Sequence, residues 1–202
     1  MRLLITFFCL AMVGCATTLD TAQLANTLPG YQAIWFELGQ KSEYGDKYSG
    51  GLGTYTAKHR PTAIHAPEAQ KTFFVYGGAK NEERYLLNMI GYYDHATNTL
   101  GMPSVVHDKQ GVNDPHDNSS IALDDDGHVW VFVSGRGRTR PGFIYRSQRP
   151  YDIYSMKQVF KGEFAYPQPV WIKDTGFLHC FTKYTKGREL YWNTSADGLT
   201  WG

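Results

Sequence analysis

Short runs of β-branched and aromatic residues, rather than any 3.6-residue periodicity, dominate the chain. They are "TFFVYGG" (72–78), "YLLNMIGYY" (85–93), "VWVFVSG" (129–135), "FIYRS" (143–147), "FLHCFTKY" (177–184) and "ELYWNTS" (189–195). The turn signals "DDDGH", "KDTG" and "SADG" punctuate them. Apolar runs of this length, bounded by Gly, Asp and Asn, predict strands joined by tight turns, so the expected fold class is all-β.

The runs also repeat. "SIALDDDGHVWVFVSG…GFIYRS" aligns with "PVWIKDTGFLHCFTKYT…ELYWNTS", which sets Phe177 48 residues after Val129. An earlier copy starts its aromatic strand near Thr72. Steps of this size match a four-stranded propeller blade. The expected architecture is therefore a β-propeller of about three four-stranded blades. Propellers have roughly four to eight blades, and the sequence stops directly after "SADGLTWG", which resembles the Asp-box turn of sialidase-like blades. Together these lead to the expectation that the chain is the N-terminal part of a larger ring.

The first residues, "MRLLITFFCLAMVGCATT", carry one Arg and then an apolar run too short to span a membrane. That is the pattern of a signal peptide. Its end, Met12-Val13-Gly14-Cys15, resembles a lipobox with Met in place of the usual Leu. Residues 1–15 are expected to be a signal peptide of lipoprotein type, lipidated at Cys15, with 16–30 a tether and 31–202 a partial propeller domain. Ordinary cleavage near Ala16 is the alternative. Either route implies export, as an outer-membrane or periplasmic lipoprotein or as a secreted protein, with membrane contact only through a lipid anchor. Outside the signal, Cys180 is the one remaining cysteine, so no intrachain disulfide and no cysteine metal site is expected. "DDDG" lacks the spaced oxygen ligands of a calcium loop, so no metal site is assigned there either.

Aromatic residues make up 15% and charged residues 19%, the balance of a globular domain. A net charge of +1 argues against a general nucleic-acid binder, and an anionic partner would have to be met locally. "GRGRTR" places Arg136, Arg138 and Arg140 in one loop. That loop is either a solvated hairpin tip or a subsite for sulfate and carboxylate groups.

Of the seven histidines, His95 and His116 stand out. Each sits at a strand boundary beside a carboxylate, Asp94 and Asp117 respectively. Loops held by a β scaffold favour catalytic groups, and a neighbouring carboxylate can fix the tautomer of a His ring. Equally, Asp94 and Asn98 can build the turn in "YDHATNTLG" with His95 merely filling it. His128 and His179 lie at strand positions and read as structural or exposed.

"KYSGGLGTYTAKHRPTAIHAPEAQKTFFVYGG", "GYYDHATNTLG", "DPHDNSSIALDDDGHVWVFVSGRGR" and "YPQPVW…FTKYTKGRELYWNTSADGLTW" together resemble the BNR-4 repeat family, over about residues 31 to 202. That family contains seven-bladed propellers and includes ulvan lyases. The resemblance implies a polysaccharide lyase acting by β-elimination on a sulfated, uronate-containing glycan such as ulvan. It implies that His95 and His116, on adjacent blades, form a catalytic pair, and that Tyr166, which precedes a Pro, joins them. The family's basic residue maps onto either Lys183 or Arg188, with Arg188 taken as the catalytic partner. Asn118, Arg136, Arg138 and Lys183 become expected substrate contacts, with His116 held by Asp117 or Asn118.

Such a lyase neutralises the uronate carboxylate, removes the C5 proton and assists departure of the glycosidic oxygen. A neutral His suits the base, and Arg suits the carboxylate because its planar fork binds both oxygens. No cofactor is called for, and the expected state is monomeric. Two other readings stay open: a non-catalytic glycan-binding propeller, and a sialidase-like hydrolase suggested only by the Asp-box.

Overall fold

A computed structural model describes residues 31–32, 61–80, 86–112 and 114–202. The expected signal peptide, Cys15, the tether and His59 lie outside the described residues.

Among the described residues thirteen strands follow in chain order: β1 (Tyr31–Gln32), β2 (Ala63–Ala66), β3 (Lys71–Lys80), β4 (Leu87–Asp94), β5 (Thr99–Leu100), β6 (Ser104–Asp108), β7 (Ser119–Leu123), β8 (Val129–Val133), β9 (Gly142–Ser147), β10 (Met156–Gly162), β11 (Ala165–Ile172), β12 (Gly176–Tyr184) and β13 (Arg188–Ser195). Among the described residues the only helical pieces are single 3-10 turns at Pro67–Ala69 and Pro115–Asp117. Every predicted strand is present. The reading passed over β6 and β10, whose polar and weakly alternating sequences, "SVVHD" and "MKQVFKG", give little periodic signal.

The strands form three antiparallel sheets. The first has the order β2-β3-β4-β6, with β1 and β5 as short additions. The second is β7-β8-β9-β10 and the third is β11-β12-β13. Each sheet thus runs outward in chain order from its first strand. Those first strands adjoin: the Ile121 N–H in β7 bonds the Pro61 carbonyl ahead of β2, and Ser120 Oγ bonds the Pro167 carbonyl in β11. This is the radial layout of a propeller-like fold. Its sheets do not close into a ring among the described residues, where the second sheet has four strands, the first adds β1 and β5 to a row of four, and the third has three.

Alternation explains how the sheets hold together. β8 is buried along its whole length because both of its faces are covered. Val129, Val131 and Val133 join Phe73, Val75, Ile90 and Ile121 in the core against the first sheet. Trp130 and Phe132 point the other way, into a second core with Ile144, Phe164, Phe177 and Phe181. Truncating Phe132 to Ala would cost about 3–5 kcal/mol on this account. The 48-residue repeat has a physical meaning here: Val129 and Phe177 each begin the row that faces the preceding sheet.

The "SADGLTW" segment folds as a compact turn. Asp197 Oδ1 accepts the Leu199 and Thr200 N–H groups at 2.8 and 2.9 Å, and Ser195 Oγ accepts the Gly198 N–H at 2.7 Å. Gly198 has φ +72, and a Cβ there would lie 2.2 Å from the Trp130 ring, so both backbone and space require Gly. The turn brings Trp201 onto Phe132, Phe177 and His179.

The fold has two rims. At one rim β2, β7 and β11 begin and β3, β8 and β12 end. At the other rim the directions are reversed. Everything that follows at the candidate site sits on the first.

Candidate functional site

Among the described residues four segments meet at that rim: the Pro115–Asp117 turn ahead of β7, the loop after β8, the start of β11 and the β12–β13 hairpin. The loop after β8 is short and pinned, because Arg136 and Arg140 pair as an isolated antiparallel bridge with an Arg136 N–H to Arg140 carbonyl bond of 2.7 Å. A Cβ at Gly135 would come within 2.3 Å of the Arg140 carbonyl, so the chain can fold back this tightly only at glycine.

Asp114 is the hub. Its Oδ1 accepts the His116 backbone N–H at 3.1 Å and lies 2.6 Å from His116 Nδ1. Its Oδ2 takes Arg140 at 2.8 Å and Arg136 at 3.2 Å. Burial raises the Asp114 pKa, but hydrogen bonds from His116 and Arg140 and the Arg136 charge outweigh it, leaving the carboxyl well below its ordinary range. The group is therefore ionised at neutral pH and can only accept. Nδ1 of His116 must carry the hydrogen, which gives the lone pair of the neutral ring to Nε2.

Beneath this hub lies a second carboxylate. Asp117 is fully buried between Lys109, 3.2 Å away, and Arg140, 3.3 Å away. Lys109 is itself buried and donates to the Ser134 carbonyl at 2.7 Å. Burial pushes Asp117 up and Lys109 down, each toward its neutral form, and their mutual attraction opposes both shifts.

Tyr166 faces the hub from the next sheet, its ring 6.0 Å from that of His116 and edge-on. Its φ of +53 is unusual for a bulky residue, and the strand register slips between Ala165 and Gln168. A bulge of this kind re-aims a side chain, and the Tyr166 N–H to Ser134 Oγ bond of 3.0 Å holds it. Arg188 lies 5.1 Å over the Tyr166 ring and 5.4 Å over Tyr184, and the Tyr166 and Tyr184 hydroxyls are hydrogen-bonded to each other at 3.2 Å. Arg136 also lies over Tyr184, at 5.9 Å. Burial, then the Tyr184 hydrogen bond, push the Tyr166 phenol up, and the two guanidiniums only partly oppose this. Tyr166 stays protonated at neutral pH, which suits a proton donor.

His116, Tyr166, Arg188 and Arg136 are therefore brought together. His95 is not. It follows the far end of β4, seven residues beyond Asn88, whose side chain bonds Ser119 at the site rim. At about 3.4 Å per residue that is about 24 Å, so the expected His95–His116 pair is corrected: the two sit on opposite rims. His95 instead bonds Thr72 Oγ1 at 2.8 Å beside His65 and Tyr93, and Asp94 caps the Ala96 and Thr97 N–H groups, as the turn reading had it.

Strand alternation separates the two basic candidates of the hairpin. Arg188 pairs with Tyr184 across the hairpin and shares its face, whereas Lys183 lies over Phe181 and Tyr191 on the other face. Arg138 is exposed at the loop tip. Asn118 is buried, and its carbonyl accepts the Ser134 N–H. The reading missed Asp114, Lys109 and Ser134. Asp114 stood in the "DPHDN" stretch as the one acidic residue two positions before the His, a spacing that lets a carboxylate cap a turn and reach back to a ring. His116 is thus oriented by Asp114. Among the described residues no three His, Cys, Asp or Glu side chains are grouped to hold a metal.

No protein-family model matches the chain, and no curated protein does. Solved structures do. A polysaccharide lyase described as a PL25 ulvan lyase, bound to -[GlcA(1-4)Rha3S]-, matches with TM-score 0.58 and 18% identity over 72% of this chain. A second structure of a PL25 ulvan lyase matches with TM-score 0.58 and 19% identity. The likeness is one of fold, and the chain spans 37% of the length of each.

Proposed function

We propose that the site rim binds a uronate unit of an acidic, sulfated polysaccharide and cleaves the glycan by β-elimination. The observation that carries this reading is the meeting of a tautomer-fixed His116, a protonated Tyr166 and the Arg188 guanidinium within one cluster. Arg188, with Arg136 beside it, faces the uronate carboxylate and stabilises charge that grows as C5 loses its proton. His116 Nε2 takes that proton. The C5–H electrons form the C4–C5 double bond as the C4–O bond breaks, and the departing oxygen takes the Tyr166 proton. Return of a proton from His116 to Tyr166 through solvent restores the site, and no water is consumed in the products.

The ligand class follows from the cations and from the fold shared with the ulvan lyases. The same reading carries the finer expectations of BNR-4 membership, a seven-bladed parent ring and export. Incubation of the protein with ulvan should raise the ultraviolet absorbance of unsaturated uronate, and His116→Ala and Tyr166→Phe should abolish the rise. Binding of ulvan with no product from the wild type would leave a glycan-binding propeller in place of a lyase.

A further inference from the structure

We infer that Lys109 is a positioning residue for His116: it neutralises Asp117 so that Arg140 remains on Asp114, the acceptor of the His116 ring. The inference rests on the lyase reading for its meaning but on charge geometry for its content. Lys109 follows β6 of the first sheet, its N–H bonded to the Leu86 carbonyl, so the amine reaches the site from a neighbouring sheet.

The charges at the hub are few and can be followed one by one. Asp114 and Asp117 are both buried or nearly so, and Arg140 is shared between them, 2.8 Å from one and 3.3 Å from the other. Asp117 is fully buried and Lys109 is 4% exposed, so solvent cannot serve Asp117 if Lys109 is removed. A buried carboxylate stripped of its cation is strongly disfavoured, and the nearest remaining cation is Arg140. Arg140 would move toward Asp117 and leave Asp114. Asp114 would then lose a hydrogen bond that holds its Oδ2, and its Oδ1 would no longer be fixed 2.6 Å from His116 Nδ1.

A second line runs from the same amine to Tyr166. Lys109 holds the Ser134 carbonyl, and Ser134 Oγ accepts the Tyr166 N–H. One buried amine thus supports both His116 and Tyr166, whose rings meet edge-on 6.0 Å apart. The charge argument makes a prediction that a merely space-filling role does not. Lys109→Met should damage the site, and adding Asp117→Asn should repair it, because Arg140 is then free to stay on Asp114 although the amine is still missing.

The test uses the full chain and two readouts. Imidazole nitrogen and proton NMR reports the His116 Nδ1–H bonded to a carboxylate. That signal should be present in the wild type, shifted or lost in Lys109→Met, and restored in Lys109→Met/Asp117→Asn. On ulvan, kcat should fall on the order of 10²-fold in the single variant, the loss expected when a reacting group is misplaced by about 1 Å, with little change in KM. The double variant should recover most of it. A Lys109→Met protein with an unaltered His116 signal, or a double variant no better than the single, overturns the inference. If the single variant fails to fold, the double variant decides. If both fail to fold, the pair serves the fold and the inference is lost. A wild type that forms no unsaturated product sinks the lyase reading alone, since the NMR comparison still judges Lys109.

Discussion

His116 Nδ1 lies 2.6 Å from Asp114 Oδ1, and the same oxygen accepts the His116 backbone N–H. One carboxylate therefore fixes both the turn and the ring that the turn carries. Asp114→Asn keeps the shape but can present an N–H to Nδ1, which favours the wrong tautomer, and it releases Arg136 and Arg140. We expect kcat on ulvan to drop by about 10²-fold or more, with folding retained by circular dichroism. Asp125→Asn, a change in the far hairpin turn, should leave kcat unaltered. Equal losses in the two variants would count against Asp114 as the orienting group.

Arg188 and Lys183 are five residues apart and lie on opposite faces of one hairpin. Arg188→Lys keeps the charge but not the planar fork, so it should cost more than a like-charge swap usually does, and mostly in the chemical step. Lys183→Ala should lower the melting temperature by removing packing on Phe181 and Tyr191, while sparing kcat. Steady-state kinetics of both variants separate the two outcomes. A silent Arg188→Lys beside a damaging Lys183→Ala would reverse the assignment.

The contrast between these two residues shows what the sequence made legible. Strand positions, the all-β class and the 48-residue repeat depend on local alternation, which a single sequence displays. Tyr166, which stands before a Pro at a strand start, was pointed to by the family resemblance and not by alternation. The rim on which a residue lies depends on strand direction and length. His95 and His116 look alike in sequence, each beside a carboxylate at a strand boundary, but β4 carries His95 about 24 Å away. Lys109 was illegible for another reason. Its partner Asp117 lies across a sheet boundary, and no periodicity in "SVVHDKQG" signals a buried amine.

Tyr166 is expected to act as a proton donor because burial and the Tyr184 hydroxyl push its phenol above the ordinary range. An acid must be protonated, so activity should be lost as pH rises through the raised value and not before it. The alkaline limb of kcat should therefore fall above about pH 10, the ordinary tyrosine range. Tyr184→Phe removes one of the upward causes and should move that limb down. A pH profile for the two proteins on ulvan checks the direction. A limb that stays in place or moves up would remove Tyr184 from this role.

Two histidines outside the site make the fold sensitive to acid. Burial lowers His179 to about 3, and burial, with Lys109 nearby, lowers His107 to about 4. Above about pH 6.5 folded and unfolded chains are both neutral at these rings. As pH falls below that, the unfolded chain takes up protons that the folded one refuses, and stability declines until the folded values are reached. For His179 the slope is about 1.4 kcal/mol per pH unit in the middle of that window. Urea midpoints at pH 7.5 and 5 should differ more for the wild type than for His179→Leu, which has no proton to gain. Equal differences would mean that His179 is reached by water.

The third sheet turns one face toward its neighbour and leaves the other open among the described residues. Phe177 and Phe181 fill the shared core, whereas by alternation Val170, Leu178, Cys180, Leu190 and Trp192 point to the opposite side. Leu190 is 85% and Trp192 69% exposed, the most open large apolar side chains described. A contiguous apolar face on a sheet whose last strand has one strand partner favours association. The protein should therefore bind a fluorescent dye for apolar surface while folded. Leu190→Lys with Trp192→Lys should cut that signal sharply and reduce concentration-dependent light scattering. Neither substitution touches the cores around Phe132 or Phe73, so the melting temperature should change little. Dye binding that survives both lysines would locate the apolar surface elsewhere on the molecule.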